Sequence, residues 1–195
     1  PIGVIDTSRG GTTVESWTPI PVLEKIDTPE VKALLREWNQ KIADFDPQED
    51  LENRVKNFHN WFKNMKEQGN EIPKGRTAPT DLRPGPVMDK NRPGNCYASM
   101  IAPIAGFAVK GAIFHQGYNN ANGGSVGSAM YYQVFGQMIT AWRSAFNDSD
   151  MPFGIISLCT AGQPQTRDDY LEMMANDGIY IREAQNKTCL LYTSP

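Results

Sequence analysis

The stretch V-K-G-A-I-F-H-Q at residues 109–116 decides the fold. It is an apolar run of strand length that stops at Gly117, and it reads as a buried strand. A loop of Tyr118, Asn119, Asn120, Ala121, Asn122, Gly123 and Gly124 follows. Tyr131, Phe135, Met138, Trp142 and Phe146 then recur at helical spacing, and F-G-I-I-S-L-C at 153–159 reads as a second buried strand. Two parallel strands need a crossover, and a helix is the usual one. Working outward, P-I-G-V-I-D at 1–6 reads as a further buried strand that enters the polar turn T-S-R-G-G-T-T at 7–13. A last helix is expected around 170–185, broken by Gly178. The pattern is α/β, a parallel sheet with helices on its faces. In such sheets chemistry sits at the carboxyl ends of strands. Three strand-end loops are polar and contain glycine: 7–13, 116–124 and 160–167.

Between the first turn and the central strand the sequence changes character. Thr28-Pro29-Glu30 is a helix start, and Val31, Leu34, Leu35, Trp38, Ile42 and Phe45 share one helical face. Asp46-Pro47-Gln48-Glu49 forms a capping box, Leu51, Val55, Phe58, Phe62 and Met65 continue the stripe, and Gly69 ends it. The result is a helical hairpin over about 28–70. Residues 72–96 hold prolines at 73, 79, 84, 86 and 93, and are read as an irregular loop. A short apolar segment occupies 100–105.

Composition removes whole classes of function. The chain has 195 residues and a formal charge of -3, so a basic nucleic-acid footprint is not expected. Its longest apolar run, at 101–109, is far short of the roughly 18 residues of a membrane span. With 2 His and 3 Cys, a histidine- or cysteine-rich metal site is not expected, and no metal or organic cofactor is implied. Cys96, Cys159 and Cys189 read as buried or free thiols.

The strand-end loops carry the candidate chemistry. Gly10-Gly11 offers unobstructed backbone N–H groups, which suit a phosphate or a developing oxyanion, although most such pairs are plain turns. Gln116 places a side-chain amide at a strand end; it either donates into the same space or satisfies loop backbone. Asn119, Asn120 and Asn122 share that ambiguity. Ser8 follows Asp6 and invites a nucleophile reading, but a hydrolytic serine needs a base. His59 belongs to the polar side of the hairpin, and His115, inside an apolar strand, reads as a core histidine.

The ordered motifs resemble those of sialate O-acetylesterases, members of the SGNH (GDSL-like) hydrolase superfamily. G-V-I-D-T-S-R-G-G-T-T-V-E-S-W at 3–17 is similar to that family's S-W-G-G-T-x-x-E-x-W block. Y-A-S-M-I-A-P at 97–103 resembles Y-N-G-M-I-x-P, and K-G-A-I-F-H-Q-G-Y-N-N-A at 110–121 resembles K-G-x-I-W-Y-Q-G-E-S-N-A. M-I-T-A-W-R at 138–143, P-F at 152–153 and R-E-A-Q at 182–185 continue the match in order.

The resemblance implies a three-layer α/β fold, helices on both faces of a parallel sheet, here incomplete and carrying the hairpin as a family-variable insertion beside the sugar cleft. It implies serine-dependent removal of O-acetyl groups from sugars, with an acetylated sugar or glycan as substrate. The family's nucleophile motif G-Q-S-N and base motif D-x-x-H are absent from these residues. The resemblance therefore implies an internal piece of a longer enzyme, inactive alone and holding the oxyanion side of the site. Gly10, Gly11 and Gln116 match the oxyanion donors. Arg9, Tyr118, Asn119 and Asn120 fall where substrate contacts are expected. Arg9 replaces a Trp, His115 an aromatic, and Tyr118-Asn119 a Glu-Ser pair. Export to the periplasm or outside is implied by the resemblance only, and oligomeric state is not encoded. An acetylxylan or other polysaccharide deacetylase, or a non-catalytic carbohydrate-binding relative, fits the same residues.

The expected domain is thus 1–187. The tail T-C-L-L-Y-T-S-P at 188–195 matches no helix or strand expectation. Its C-L-L-Y-T-S-P resembles translated sequencing-adapter read-through at the ends of metagenomic gene fragments, and is expected to be non-native.

Overall fold

A computed structural model describes residues 2–158 and 177–192. The chain forms two compact units. One comprises 1–36 with 90–195, and the other comprises 37–89.

The larger unit is built on the crossover expected from the central stretch. Strand β1 (Ala112–Phe114) pairs in parallel with β2 (Phe153–Ile155), in the register Ala112 to Phe153, Ile113 to Gly154 and Phe114 to Ile155. Between them run a single helical turn, α4 (Tyr118–Ala121), and the long helix α5 (Gly124–Ala145). Helix α6 (Asp177–Tyr192) packs on α5 and α4. Ahead of β1 lie a 3₁₀ turn at Val14–Trp17, helix α1 (Ile20–Leu23), the start of helix α2 (Pro29–Ala43) and a π-helical turn at Tyr97–Ile101.

One aromatic cluster holds sheet and helix together. Phe114 stacks on Phe135 at 5.6 Å and meets Trp142 edge-on at 5.9 Å; Trp142 lies 5.8 Å from Phe153. Trp17 joins edge-on to Phe114, and Trp142 Nε1 donates to the Trp17 carbonyl at 2.9 Å. Such pairs contribute about 0.5–1.5 kcal/mol each beyond their burial. The stripe expected on α5 is therefore the core face: Tyr131, Phe135, Met138 and Trp142 are all buried.

The smaller unit contains the remainder of α2 and helix α3 (Pro47–Glu67). Asp46 caps α3 by accepting the N–H groups of Gln48 at 2.7 Å and Glu49 at 3.2 Å. At the other end Gly69 takes φ +68°, Asn70 N–H reaches Met65 O and Gly69 N–H reaches Lys66 O, a Schellman stop. Arg54 pairs with Asp50 at 2.7 Å and donates to the Asp81 carbonyl, tying the proline-rich loop to α3.

Several expectations are corrected. Residues 2–6 form no strand, and Ile2, Val4 and Ile5 are exposed. Among the described residues the sheet has only β1 and β2, and this segment joins neither of them. The central run 109–116 gives three strand residues and is half-buried: Phe114 faces the core while Ile113 is 81% exposed. Helices thus cover one face of the sheet among the described residues. His115 is exposed and is not a core histidine. The expected helix at 170–185 is described from Asp177 onward and runs through Gly178 without the expected break; 170–176 lie outside the described residues. That helix runs on to Tyr192 and buries Thr188, so the tail does adopt regular structure through 192. No described helix is long and apolar enough to cross a membrane.

Candidate active site

The segment around the 7–13 turn and the loop after β1 meet through a buried chain of amides. Gln116 is 9% exposed, and its Nε2 donates to the Thr12 carbonyl at 2.7 Å and to Asn120 Oδ1 at 2.9 Å. Asn120, 2% exposed, also accepts the Val14 N–H at 3.0 Å and donates through Nδ2 to Glu15 Oε1 at 2.9 Å. These bonds fix each amide's orientation. Val14 N–H requires an oxygen from Asn120, so the group Gln116 points at that oxygen must be its nitrogen.

Two consequences follow. Both Nε2 hydrogens of Gln116 are taken, and its Oε1 is buried with no partner among the described residues. Glu15 is buried, and desolvation pushes its carboxyl above the ordinary glutamate value, against the opposing pull of hydrogen bonds from Thr13, its own backbone and Asn120. The backbone of Gln116 is held equally firmly. Its carbonyl accepts from Gln185 Nε2 at 3.1 Å and from the Tyr131 hydroxyl at 3.4 Å, and burial pushes the Tyr131 phenol upward.

The glycine turn lies outside this buried chain. Gly10 and Gly11 are exposed, and among the described residues neither N–H donates to a protein acceptor. Their carbonyls are held instead. Lys90 Nζ donates to Gly10 O at 2.7 Å, and Asn91 Nδ2 to Gly11 O at 3.2 Å. Asn91 Oδ1 accepts the Thr13 N–H at 3.0 Å, and the Thr12 hydroxyl donates to Arg9 O at 3.0 Å. Gly11 has φ +68°, and a Cβ there would sit 2.6 Å from Lys90 Nζ and 3.9 Å from Asn119 Nδ2. Burial pushes the Cys96 thiol up, against the opposing pull of a hydrogen bond with Ser16 and of the Arg9 and Lys90 charges.

Gln116 and Asn120 are bonded directly, Asn119 lies beside Gly11, and the glycine turn is linked to Gln116 through Thr12. Asn120 is turned inward, with its amide bonded to the protein, while Tyr118 is 37% exposed. Ser8 is exposed and its hydroxyl and N–H both donate to Asp6 Oδ1, which holds that carboxyl below the usual aspartate range. The third candidate loop, 160–167, lies outside the described residues. Lys90, Asn91 and Glu15 were not singled out from the sequence. Lys90 and Asn91 sit in the proline-rich segment, where no periodicity marks a residue that latches 80 positions away. The signal that remained for Glu15 was its place in the first matched block.

Chemically, the turn offers two N–H donors that have no protein acceptor among the described residues, at an exposed surface beside cationic side chains. That arrangement suits an oxygen bearing negative charge.

Comparison with curated proteins finds distant relatives. A sialate O-acetylesterase of Rattus norvegicus is 25% identical over 165 residues, and one of Mus musculus is 25% identical over 175. Each alignment covers 81% of this chain and 26% of the relative. The chain is thus a distant relation of hydrolases of that name and spans about a quarter of their length. No family model matches it, and no solved structure matches it.

Proposed function

We propose that this chain carries the oxyanion side of the active site of a carbohydrate O-acetylesterase of the sialate O-acetylesterase kind, an SGNH-type serine hydrolase. The observation that supports the reading most is the pair of N–H groups at Gly10 and Gly11, without a protein acceptor among the described residues, presented by a turn whose carbonyls are tied back by Lys90 and Asn91. When a nucleophile attacks an acetyl carbonyl, negative charge develops on its oxygen, and donors already in position stabilise it without reorganising. Gln116 joins them by exchanging the Thr12 carbonyl for the oxyanion. An anionic acceptor forms a bond roughly twice as strong as a neutral carbonyl does, which favours the exchange.

The nucleophilic serine and the histidine base would come from G-Q-S-N and D-x-x-H segments beyond these residues. Arg9, Tyr118 and Asn119 lie where the sugar would approach. Asn120, being buried, acts by holding Gln116 and the Val14 turn in place.

The test compares two proteins on an activated acetyl ester: the 195-residue chain, and the gene product that includes its flanking sequence. The reading expects hydrolysis by the longer protein and almost none by the chain. Robust hydrolysis by the chain that survives Ser8→Ala contradicts the assignment of the absent groups. A panel of acetylated sialic acids and acetylated xylo-oligosaccharides then separates the sialate and xylan readings.

A further inference from the structure

We propose that Lys90 is a positioning residue for the Gly11 N–H: its ammonium polarises the Gly10–Gly11 peptide and makes that N–H a stronger donor. The proposal deepens the esterase reading and rests on it for one point, that the acceptor is an oxygen anion.

The Gly10 carbonyl and the Gly11 N–H belong to one planar unit, and no cis peptide is present, so oxygen and hydrogen point to opposite sides. Lys90 Nζ binds the oxygen at 2.7 Å. Hydrogen bonds linked through a peptide polarise one another, and a charged donor does so more strongly than a neutral one. The cation draws electron density toward the carbonyl side and leaves the N–H on the opposite side more positive. Asn91 repeats the arrangement on the next peptide by binding Gly11 O at 3.2 Å.

The close approach also depends on glycine. A Cβ at Gly11 would stand 2.6 Å from the ammonium nitrogen, so any side chain there competes with Lys90 for space. The φ of +68° adds a second reason for glycine at this position. Two consecutive residues from a proline-rich loop therefore hold two consecutive carbonyls of the turn, while the exposed Gly11 N–H has no protein acceptor among the described residues.

The test uses the full chain, acetate as the probe, and amide NMR of Gly11. Lys90→Arg keeps charge and donor, Lys90→Gln keeps a donor without charge, and Lys90→Met keeps neither. Resonances remote from the turn report that each variant is folded. Acetate is expected to shift the wild-type Gly11 resonance saturably. Its affinity is expected to fall about twofold to fivefold in Lys90→Gln and Lys90→Met, the scale of a partly exposed charge interaction, and to return in Lys90→Arg. In the ligand-free protein the Gly11 proton should move upfield in the two uncharged variants alone. Wild-type behaviour of Lys90→Gln in both measurements makes Lys90 a simple latch and overturns the proposal, with the oxyanion reading intact. If acetate moves no Gly11 resonance in any variant, the oxyanion reading falls. The ligand-free shifts then decide: an upfield move in Lys90→Gln supports polarisation, and no move overturns it.

Discussion

Glu15 and Asn120, 105 positions apart, share a buried hydrogen bond of 2.9 Å between carboxyl and amide. Through Asn120 Oδ1 the same link reaches the Val14 N–H and Gln116 Nε2, so one side chain joins the turn after the glycine pair to the loop after β1. The geometry of the candidate site depends on this junction more than on any regular element.

Asn120→Ala should therefore destabilise the fold. It strands the Val14 N–H and one Gln116 hydrogen in a buried setting, and takes one of several hydrogen bonds from the Glu15 carboxyl. Each unsatisfied buried group costs about 1–3 kcal/mol, and a combined loss of about 2–4 kcal/mol is expected from urea unfolding. A change within about 0.5 kcal/mol would show that the amide chain is not needed to hold the two loops.

Glu15 predicts a pH dependence of definite sign. Burial raises its carboxyl above the ordinary value of 4.5, so the folded chain keeps a proton that the unfolded chain releases. The associated stability is full below 4.5 and is lost as pH rises through the folded-state value. The carboxylates of Asp6, Asp27, Glu30 and Asp81 are shifted downward by hydrogen bonds and act in the opposite sense at lower pH, below their ordinary values. Glu15→Gln keeps an acceptor for Asn120 and removes the titration. It should flatten the decline above 4.5 in urea midpoints measured across pH. A decline unchanged in the variant assigns it to another group.

Gly127 tests how closely α4 and α5 approach. An added Cβ would stand 2.0 Å from the Asn120 carbonyl oxygen, a backbone atom that cannot swing away. Helix propensity alone favours alanine by about 1 kcal/mol. Overpacking of this kind costs about 1–3 kcal/mol or more, so Gly127→Ala should be net destabilising. It should also shift the Asn120 and Gln116 side-chain amide resonances. A stabilised variant with those resonances unmoved would mean that the two helices part without cost.

The legibility of the fold followed the range of its interactions. The α5 stripe, the Asp46 cap and the Gly69 stop are local, and the residue pattern is enough to place them. The strand at 109–116 was overextended because an apolar run does not say which face is covered. Phe114 finds the aromatic cluster, whereas Ile113 faces outward. The opening segment failed for the same reason, since pairing depends on a neighbour. In the candidate site, Gly10, Gly11 and Gln116 were proposed from type and position. The Lys90 and Asn91 latches were not, because a lysine and an asparagine in a proline-rich loop carry no pattern that names their partners. Asn120 was visible as a candidate, but its inward turn is a matter of burial, which turn chemistry does not reveal.

The central claim is that Gln116, with Gly10 and Gly11, forms the oxyanion side of an esterase site. The most direct measurement is kcat and KM of Gln116→Ala in the gene product that includes the flanking sequence, on an acetylated sugar. The account predicts a fall of about 10²–10³ in kcat with KM little changed, the effect of losing one oxyanion donor. Circular dichroism would confirm that the variant is folded. A folded variant whose kcat stays within a few-fold of the parent contradicts the claim, and leaves Gln116 as a brace for the Thr12 carbonyl.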